Sequence, residues 1–314
     1  MREKVYQMFI LGTDGGGYID ALKNGLGGVI FFTHDIQSAE QFKELILRCK
    51  TFAKIPTFLS IDQEGGRVER TENIHKKHLS ARYAYQNGLD FLEKQTSEIA
   101  LELKSYGINL NFAPCVDVNT NPDNPIIGER SFSSNPDEVI EAGRQVMEIY
   151  RRNGIIPCLK HYPGHGDANS DSHLTLPEID LPLEKMEAVH IKPFAALANE
   201  AEMVMAAHLH CTCFDKSEIP TSLSKNAISY LRNKIGFKGV IISDDMIMKG
   251  VAKFGAVEAV ETGIRAGLNM FIYRNSSPET IDVIETIVKK AKKDKVLALN
   301  IEKSSEKIRV LKNR

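Results

Sequence analysis

Eight short apolar runs, spaced along the chain of 314 residues, constrain its fold more than any other sequence feature. Each run is nearly continuous, as expected for strands that are buried on both faces of a sheet. The runs occupy 8–11, 28–32, 57–61, 109–113, 155–159, 203–207, 240–243 and 268–273. Segments with helical periodicity lie between most of them, and this alternation predicts a parallel sheet covered by helices.

The clearest predicted helix lies between the fourth and fifth runs. Asn135 is placed to cap it, Pro136 fits its first turn, and Glu138 would complete a capping box. Apolar residues then follow the i, i+3, i+4, i+7 spacing of an amphipathic helix until Gly154 ends it. The helix is therefore expected to pack on the sheet and to lead directly into the fifth strand.

A count of eight strands favours a single (β/α)8 TIM-type barrel over a doubly wound open sheet. Such a barrel needs about 250 residues plus loop insertions. Three glycines at 15–17 follow the first run, but their spacing is wrong for a dinucleotide-binding turn. No linker interrupts the chain, so residues 1–314 are predicted to form one domain that ends in a Lys-rich helical pair at 278–314.

Charge and cysteine content narrow the functional class. The formal net charge is −1, and basic residues are scattered among acidic ones, which argues against binding of nucleic acid or anionic membrane. Five cysteines without a Cys-x-x-Cys pair indicate buried thiols and no disulfide framework. No apolar run is long enough for a membrane span, and the first residues lack a secretory signal pattern. We expect a cytoplasmic monomer or weak oligomer without a cofactor or a resident metal.

The densest polar cluster follows the fifth strand and contains three histidines and two aspartates. In a parallel barrel the strand-to-helix loops share one face, which is the face that carries active sites. The cluster comprises Lys160, His161, His165, Asp167, Asp171 and His173. Glycines between these residues predict a loop that can close over a substrate.

Asp171 and His173 are candidates for a proton-transfer pair. An aspartate two residues away on a loop can accept the Nδ1 proton of the imidazole and orient its ring, which leaves Nε2 free to move a proton. Because imidazole titrates near neutrality, it can give a proton and later take one back. We therefore interpret His173 as an acid/base group and Asp171 as its partner.

Carboxylates also follow the seventh and third strands. Asp244 comes directly after a buried strand, where a charge is costly unless it is used or paired. We interpret Asp244 as a nucleophile and Asp245 as a loop cap that accepts backbone N–H groups. Asp62 and Arg70, after the third strand, could bind a polyol, although an internal salt-bridge turn explains that segment equally well.

Together, five segments resemble glycoside hydrolase family 3, and within it the β-N-acetylglucosaminidases of the bacterial peptidoglycan-recycling type. The segments are IDQEGGRV at 61–68, GERSF at 128–132, KHYPGHG at 160–166, DSH at 171–173 and SDDM at 243–246. Their order and spacing match the family from about the third strand to the eighth. Two small departures are Tyr162, where the family often has Phe, and Cys115, where it commonly has an aliphatic residue.

The resemblance implies a role for each site residue. Asp244 matches the family nucleophile, His173 the unusual histidine acid/base, and Asp171 its partner. The residues that match those holding terminal N-acetylglucosamine are Asp62, Arg70, Arg130, Lys160 and His161. The implied substrate is β-linked N-acetylglucosamine on muropeptide fragments, joined to an anhydro-muramic sugar. The implied reaction is hydrolysis with retained configuration through a glycosyl-aspartate.

Three alternatives stay open. A phosphorylase is possible because an imidazole repels incoming phosphate less than a carboxylate would. A metal-dependent hydrolase could use His208 and His210, with Asp167 and Asp171 as further ligands. A sugar-binding protein without activity would have lost the nucleophile or the acid, and both are present here.

Overall fold

The computed structural model describes residues 1–168 and 176–313 and contains a closed barrel of eight parallel strands. In chain order, the strands are β1 Phe9–Asp14, β2 Gly28–Phe31, β3 Phe58–Ile61, β4 Leu110–Asn111, β5 Ile156–Tyr162, β6 Glu178–Ile179, β7 Met203–Ala206, β8 His210–Cys211, β9 Val240–Asp245 and β10 Met270–Asn275. All except β6 and β8 form the barrel, in the order β1-β10-β9-β7-β5-β4-β3-β2. The predicted TIM-type barrel is confirmed.

The barrel closes where the first strand meets the last. Ile10 of β1 lies opposite Gly28 of β2 on one side and opposite Ile272 of β10 on the other. Every residue of β2, β3 and β7 is buried, as the near-continuous apolar runs predict. Each of the eight predicted runs corresponds to one barrel strand.

The ends of two strands differ from the prediction in a way that matters for the site. β5 continues to Tyr162, so that Lys160 and His161 lie on the strand and not in the loop after it. β9 likewise includes Asp244 and Asp245. These positions carry polar residues, so the apolar runs end before the strands do. Their backbones are nevertheless held by the parallel ladder, which gives the side chains fixed positions.

Helices cover the outside of the barrel. They are α1 Arg2–Tyr6, α2 Tyr18–Lys23, α3 Ala39–Phe52, α4 Ala81–Gln86, α5 Leu89–Tyr106, α6 Pro136–Arg152, α7 Leu183–Lys185, α8 Lys192–Leu197, α9 Lys225–Ser229, α10 Lys249–Ala252, α11 Ala256–Ala266, α12 Pro278–Ala291 and α13 Lys295–Lys312. Short 3-10 turns at 33–35, 128–130 and 221–223 and single π-helical turns at 186–190 and 230–234 complete them. α12 and α13 form the helical pair predicted for the end of the chain.

The helix predicted between the fourth and fifth runs is confirmed as α6, but the capping box predicted at Glu138 is wrong. Asn135 caps the helix by accepting the backbone N–H of Asp137 at 2.9 Å. The Glu138 carboxylate instead accepts the hydroxyl of Ser133, and Ser133 Oγ accepts the backbone N–H of Asn135 at 3.0 Å. Ser133 therefore takes the place in the cap that the spacing assigned to Glu138.

Two further features bear on the expectations from composition. All five cysteines are unpaired; four are buried and Cys213 is half-buried. None of the described helices is long and apolar enough to cross a membrane. The two-residue strands β6 and β8, which pair outside the barrel, were not predicted because they are too short to show a periodic pattern.

Candidate active site

A cleft opens where the carboxyl ends of the barrel strands meet. It consists of two adjoining cavities of about 420 and 280 Å³, and Asp62, Arg70, Met205 and Asp244 line both of them. A separate cavity of about 400 Å³ is lined by 198–202, 238–240 and the end of α13, where the described lining includes no predicted site residue. The cleft at the carboxyl ends is therefore the candidate active site.

Six of the eight predicted site residues line this cleft. They are Asp62, Arg70, Arg130, Lys160, His161 and Asp244. The structure thus brings together side chains from β5, β9 and the loops after β3 and β4. The other two, Asp171 and His173, lie outside the described residues.

Two cations and two carboxylates form a buried network in the cleft. Lys160 Nζ donates to Asp62 Oδ1 at 2.7 Å and lies 2.5 Å from Glu64 Oε1. Arg130 binds both oxygens of the Glu64 carboxylate, with Nε at 2.9 Å and Nη2 at 2.8 Å. Only 2% of the Lys160 side chain and 4% of the Glu64 side chain are exposed. Because each charge has an opposite partner, the network can stay ionised inside the protein.

Burial and charge pairing shift the pKa values of this network in opposite directions. Burial by itself raises the pKa of Glu64, but Arg130 and Lys160 hold that pKa well below its usual range. Burial also lowers the pKa of Lys160, whereas Asp62 and Glu64 raise it above its usual value. The Lys160 ammonium has three N–H donors. Two of them are directed to the carboxylates of Asp62 and Glu64. Within residues 1–168 and 176–313, Asp62 and Glu64 are the carboxylate partners of Lys160, which leaves the third N–H for a ligand.

Glu64 is a residue that the sequence analysis did not assign to the site. It stands two positions after Asp62 in the IDQEGGRV segment at 61–68. On a loop, this spacing does not predict which way the Glu64 side chain points. The structure shows that Glu64 is the common partner of Arg130 and Lys160. A buried carboxylate between two cations becomes visible only when the loops after β3 and β4 are placed side by side.

We expect Glu64→Gln to lower the free energy of unfolding by about 3–5 kcal/mol, because it leaves buried cations without their compensating charge. Urea denaturation of the purified variant measures this loss. Activity should fall with it, since Arg130 and Lys160 lose the group that orients them.

Glu202→Gln is the matched control. Glu202 forms a similar pair with the guanidinium of Arg151, at 2.7 Å and 3.3 Å, but 42% of the Arg151 side chain is exposed. Its loss should cost only about 0–1 kcal/mol. Equal losses in the two variants would contradict the importance of the buried network.

Asp244 stands at the mouth of the barrel near the end of β9. Its Oδ1 accepts the backbone N–H of Asp245 at 2.7 Å, which orients the carboxylate. Burial raises the pKa of Asp244, but this N–H and the positive charge of Lys160 help to hold the pKa below its usual value. Asp244 is therefore a carboxylate at neutral pH, as a nucleophile must be.

Asp245 has the capping role that the sequence predicts for it. Its Oδ1 accepts the backbone N–H groups of Ile247 at 3.1 Å and Arg274 at 3.2 Å. The carboxylate also forms an ion pair with the Arg274 side chain. Asp245 thus fixes the chain after β9 while its neighbour Asp244 remains available to the cleft.

His208 and His210 do not converge as metal ligands. His208 Nδ1 lies 2.7 Å from Ser222 Oγ, and its Nε2 lies 3.1 Å from the backbone oxygen of Asp245. His210 pairs with the Glu178 carboxylate at 2.9 Å and with a backbone oxygen at 2.9 Å. Both nitrogens of each ring are therefore used in hydrogen bonds within the protein. Burial lowers the pKa of His208, so this ring is neutral and supports the end of β9.

A different group of side chains does have the spacing of metal ligands. Among the described residues, Cys115, Asp117 and His161 offer ligand atoms within 4.8 Å of one another. These atoms already hydrogen bond with each other: Asp117 Oδ2 lies 2.7 Å from His161 Nδ1 and 3.1 Å from Cys115 Sγ. Hydrogen bonding explains the group without an ion.

The loop that carries Arg70 folds around the buried carboxylate of Glu69. Glu69 accepts the backbone N–H of His78 at 3.1 Å and a hydrogen bond from the Gln63 amide. The side-chain oxygen of Gln63, Oε1, accepts the backbone N–H of Arg70 at 2.7 Å. The Arg70 guanidinium then lies over the Phe32 ring, and its buried Nε has no hydrogen-bond partner in the described part of the chain. Arg70 lines both cavities of the cleft, and its guanidinium is the group that can meet a ligand there.

Three polar residues that the sequence analysis did not assign, besides Glu64, also support the cleft. Glu69 organises the loop after β3, as described above. Asp117 binds the ring of His161, and His165 lines the cavity beside it with ring centroids 6.1 Å apart. Burial lowers the pKa of His165 to about 4, so its ring is neutral at physiological pH. Gly166 allows the loop after β5 to pass close by, because a Cβ there would lie 1.8 Å from the carbonyl oxygen of Val118.

Comparison with known proteins places the chain in a family. The profile of the glycosyl hydrolase family 3 N terminal domain matches residues 1–311. Beta-hexosaminidase A of Pseudoalteromonas piscicida is 35% identical over 279 residues, which cover 80% of this chain and 46% of that protein. Beta-hexosaminidase of Idiomarina loihiensis is 31% identical over 272 residues, which cover 83% and 80%. The chain thus spans about half the length of the first relative and most of the second.

A solved structure agrees with this assignment. The glycoside hydrolase family 3 beta-N-acetylglucosaminidase from Paenibacillus sp. superposes with a TM-score of 0.92 at 27% sequence identity. The match covers 100% of this chain and 62% of the Paenibacillus chain. Profile, relatives and fold lead to one conclusion: the chain belongs to glycoside hydrolase family 3.

Proposed function

We propose that the protein is a retaining β-N-acetylglucosaminidase that removes terminal β-linked N-acetylglucosamine from muropeptide fragments, in the cytoplasm and as a single barrel domain. One observation carries the proposal: six side chains suited to holding and attacking a sugar line one cleft, with an ionised Asp244 among them. The relatives named beta-hexosaminidase support an N-acetylhexosamine as the sugar.

In the proposed reaction Asp244 attacks the anomeric carbon. A bond forms between its carboxylate oxygen and that carbon while the glycosidic C–O bond breaks, and protonated His173 gives its proton to the leaving oxygen. Neutral His173 then takes a proton from a water molecule while the water oxygen bonds to the anomeric carbon. The bond between that carbon and Asp244 breaks, and the sugar leaves with retained configuration. Asp171 holds the His173 ring in the required orientation.

The other side chains of the cleft hold the sugar against the nucleophile. Asp62 accepts hydrogen bonds from hydroxyl groups, because 20% of its side chain remains exposed despite the pairing with Lys160. The remaining N–H of Lys160 and the guanidinium of Arg70, which lines both cavities, donate to sugar oxygens. Contacts from several sides fix the anomeric carbon in front of Asp244, which converts binding energy into orientation.

Phosphorolysis is the alternative that product analysis separates from hydrolysis. We would incubate the protein with an aryl β-N-acetylglucosaminide and the matching aryl β-glucoside, each with and without phosphate. The proposal expects free N-acetylglucosamine as the product in both buffers, and turnover of the glucoside slower by on the order of 100-fold. Sugar 1-phosphate as the main product would decide for a phosphorylase, and no turnover of either glycoside would contradict the proposed activity.

The finer substrate class needs a natural fragment. A disaccharide of N-acetylglucosamine and anhydro-N-acetylmuramic acid, with and without its peptide, should be cleaved to the two sugars. If the protein cleaves aryl glycosides but not this disaccharide, the proposed N-acetylglucosaminidase activity stands and the muropeptide substrate is contradicted.

A further inference from the structure

Asp117 is a fully buried carboxylate that lies behind His161, and the sequence analysis gave it no role. Four donors converge on it. Its Oδ2 lies 2.7 Å from His161 Nδ1 and 3.1 Å from Cys115 Sγ. The backbone N–H of His161 lies 3.1 Å from Oδ2, and that of His165 lies 2.6 Å from Oδ1. The carboxylate therefore contacts both the ring of His161 and the turn that follows it.

The charge state of Asp117 follows from these contacts. Burial by itself raises the pKa of Asp117, but His161 and the N–H of His165 hold that pKa well below its usual range. An ionised carboxylate has no proton to donate, so it accepts from all four partners. The Nδ1 atom of His161 must then carry a proton for the 2.7 Å contact to be a hydrogen bond.

This arrangement selects one tautomer of the His161 ring. With the proton on Nδ1, the neutral ring presents the Nε2 lone pair as an acceptor. Nε2 lies 3.3 Å from Arg130 Nη2, and the ring lines the same cavity as Asp244. The other tautomer would place an N–H against the Arg130 guanidinium and leave a lone pair against the Asp117 carboxylate. Both contacts would then be unfavourable.

We infer that Asp117 is a positioning residue for the sugar-binding site: it fixes the tautomer and the orientation of His161, so that Nε2 accepts a hydrogen bond from Arg130 or from a sugar hydroxyl. This inference rests on the proposed function for the identity of the sugar. Among the described cleft-lining residues, the Asp117 carboxylate hydrogen bonds with His161 and His165, so we expect its effect on turnover to pass through them.

A double-mutant cycle tests the inference. An amide at position 117 turns an N–H₂ group toward donors that need an acceptor, so Asp117→Asn should lower kcat/KM for an aryl β-N-acetylglucosaminide by about 10- to 100-fold. In a His161→Ala background the same substitution should change kcat/KM by less than about threefold, because the ring it positions is gone. Full additivity of the two losses would show that Asp117 acts on the fold alone and would overturn the inference.

A measurement on the unmodified protein covers the case in which Asp117→Asn does not fold. Nitrogen-15 labelling of the nine histidines and long-range ¹H–¹⁵N correlation at pH 8 report which ring nitrogen carries the proton. The signal of His161 is identified by its loss in His161→Ala. The inference expects a proton on Nδ1, and a proton on Nε2 would overturn it. The spectrum decides this even if the protein hydrolysed no N-acetylglucosaminide, so failure of the proposed function remains distinguishable.

Discussion

Asp244→Asn should lower kcat for an aryl β-N-acetylglucosaminide by on the order of 10⁴-fold or more. The amide has the same shape and can still accept the N–H of Asp245, so the fold and sugar binding should survive. An amide oxygen is too weak a nucleophile to form the glycosyl ester, and it cannot balance the positive charge that develops on the sugar ring. Steady-state kinetics, with the melting temperature as a check on folding, measure the effect.

Asp245→Asn is the matched control for this prediction. The two aspartates are adjacent on β9, but Asp245 is engaged by the backbone of Ile247 and by Arg274. Its replacement should leave kcat within about tenfold of the native value, as expected for loss of a partly exposed ion pair. Near-native activity of Asp244→Asn, or equal losses in the two variants, would exclude Asp244 as the nucleophile.

His173→Ala should show a loss that depends on the leaving group. Proton donation contributes about 10²- to 10⁴-fold when the departing oxygen is strongly basic. It contributes little when the departing group is a stable anion, such as dinitrophenolate. A series of aryl β-N-acetylglucosaminides of increasing phenol pKa should therefore give a steeper fall of kcat/KM in the variant than in the native protein.

His165→Ala is the corresponding control, at the histidine that precedes His173 in the sequence. His165 is neutral and buried beside His161, so its loss should reduce kcat/KM by a similar factor for every leaving group. A flat response in His173→Ala would remove its role as the proton donor. A slope in His165→Ala as steep as that expected for His173→Ala would transfer the role to His165.

The barrel could be predicted from the sequence because its strands are buried on both faces. A run such as Gly28–Phe31 is wholly buried in the structure. Its continuous apolar residues identify it as a strand, although apolar and polar residues do not alternate along it. The ends of β5 and β9 could not be found in this way. Lys160 and Asp244 are polar, and their strands continue because residues beyond them pair with neighbouring strands: Tyr162 pairs with Ala206, and Asp245 pairs with Ile272.

The site was predictable where a residue type suggested its own chemistry, and not where it depended on a partner. Asp244 stood out because a charge next to a buried strand needs a purpose, and Lys160 stood out because it belongs to the dense polar cluster after the fifth run. Glu64 and Asp117 did not stand out, because their importance lies in contacts with side chains from other loops. Glu64 meets Arg130 across 66 positions of sequence, and Asp117 meets His161 across 44. No local pattern encodes such distances.

The central claim is that Asp244 forms a covalent bond with the sugar, and trapping that bond tests it most directly. A 5-fluoro-N-acetylglucosaminyl fluoride reacts once and then releases slowly, since fluorine next to the ring oxygen destabilises the positive charge of the second step. Peptide mass spectrometry should find one fluoro-sugar on the peptide that contains Asp244. A label on another carboxylate, or turnover of the reagent without any label on the protein, would contradict the account.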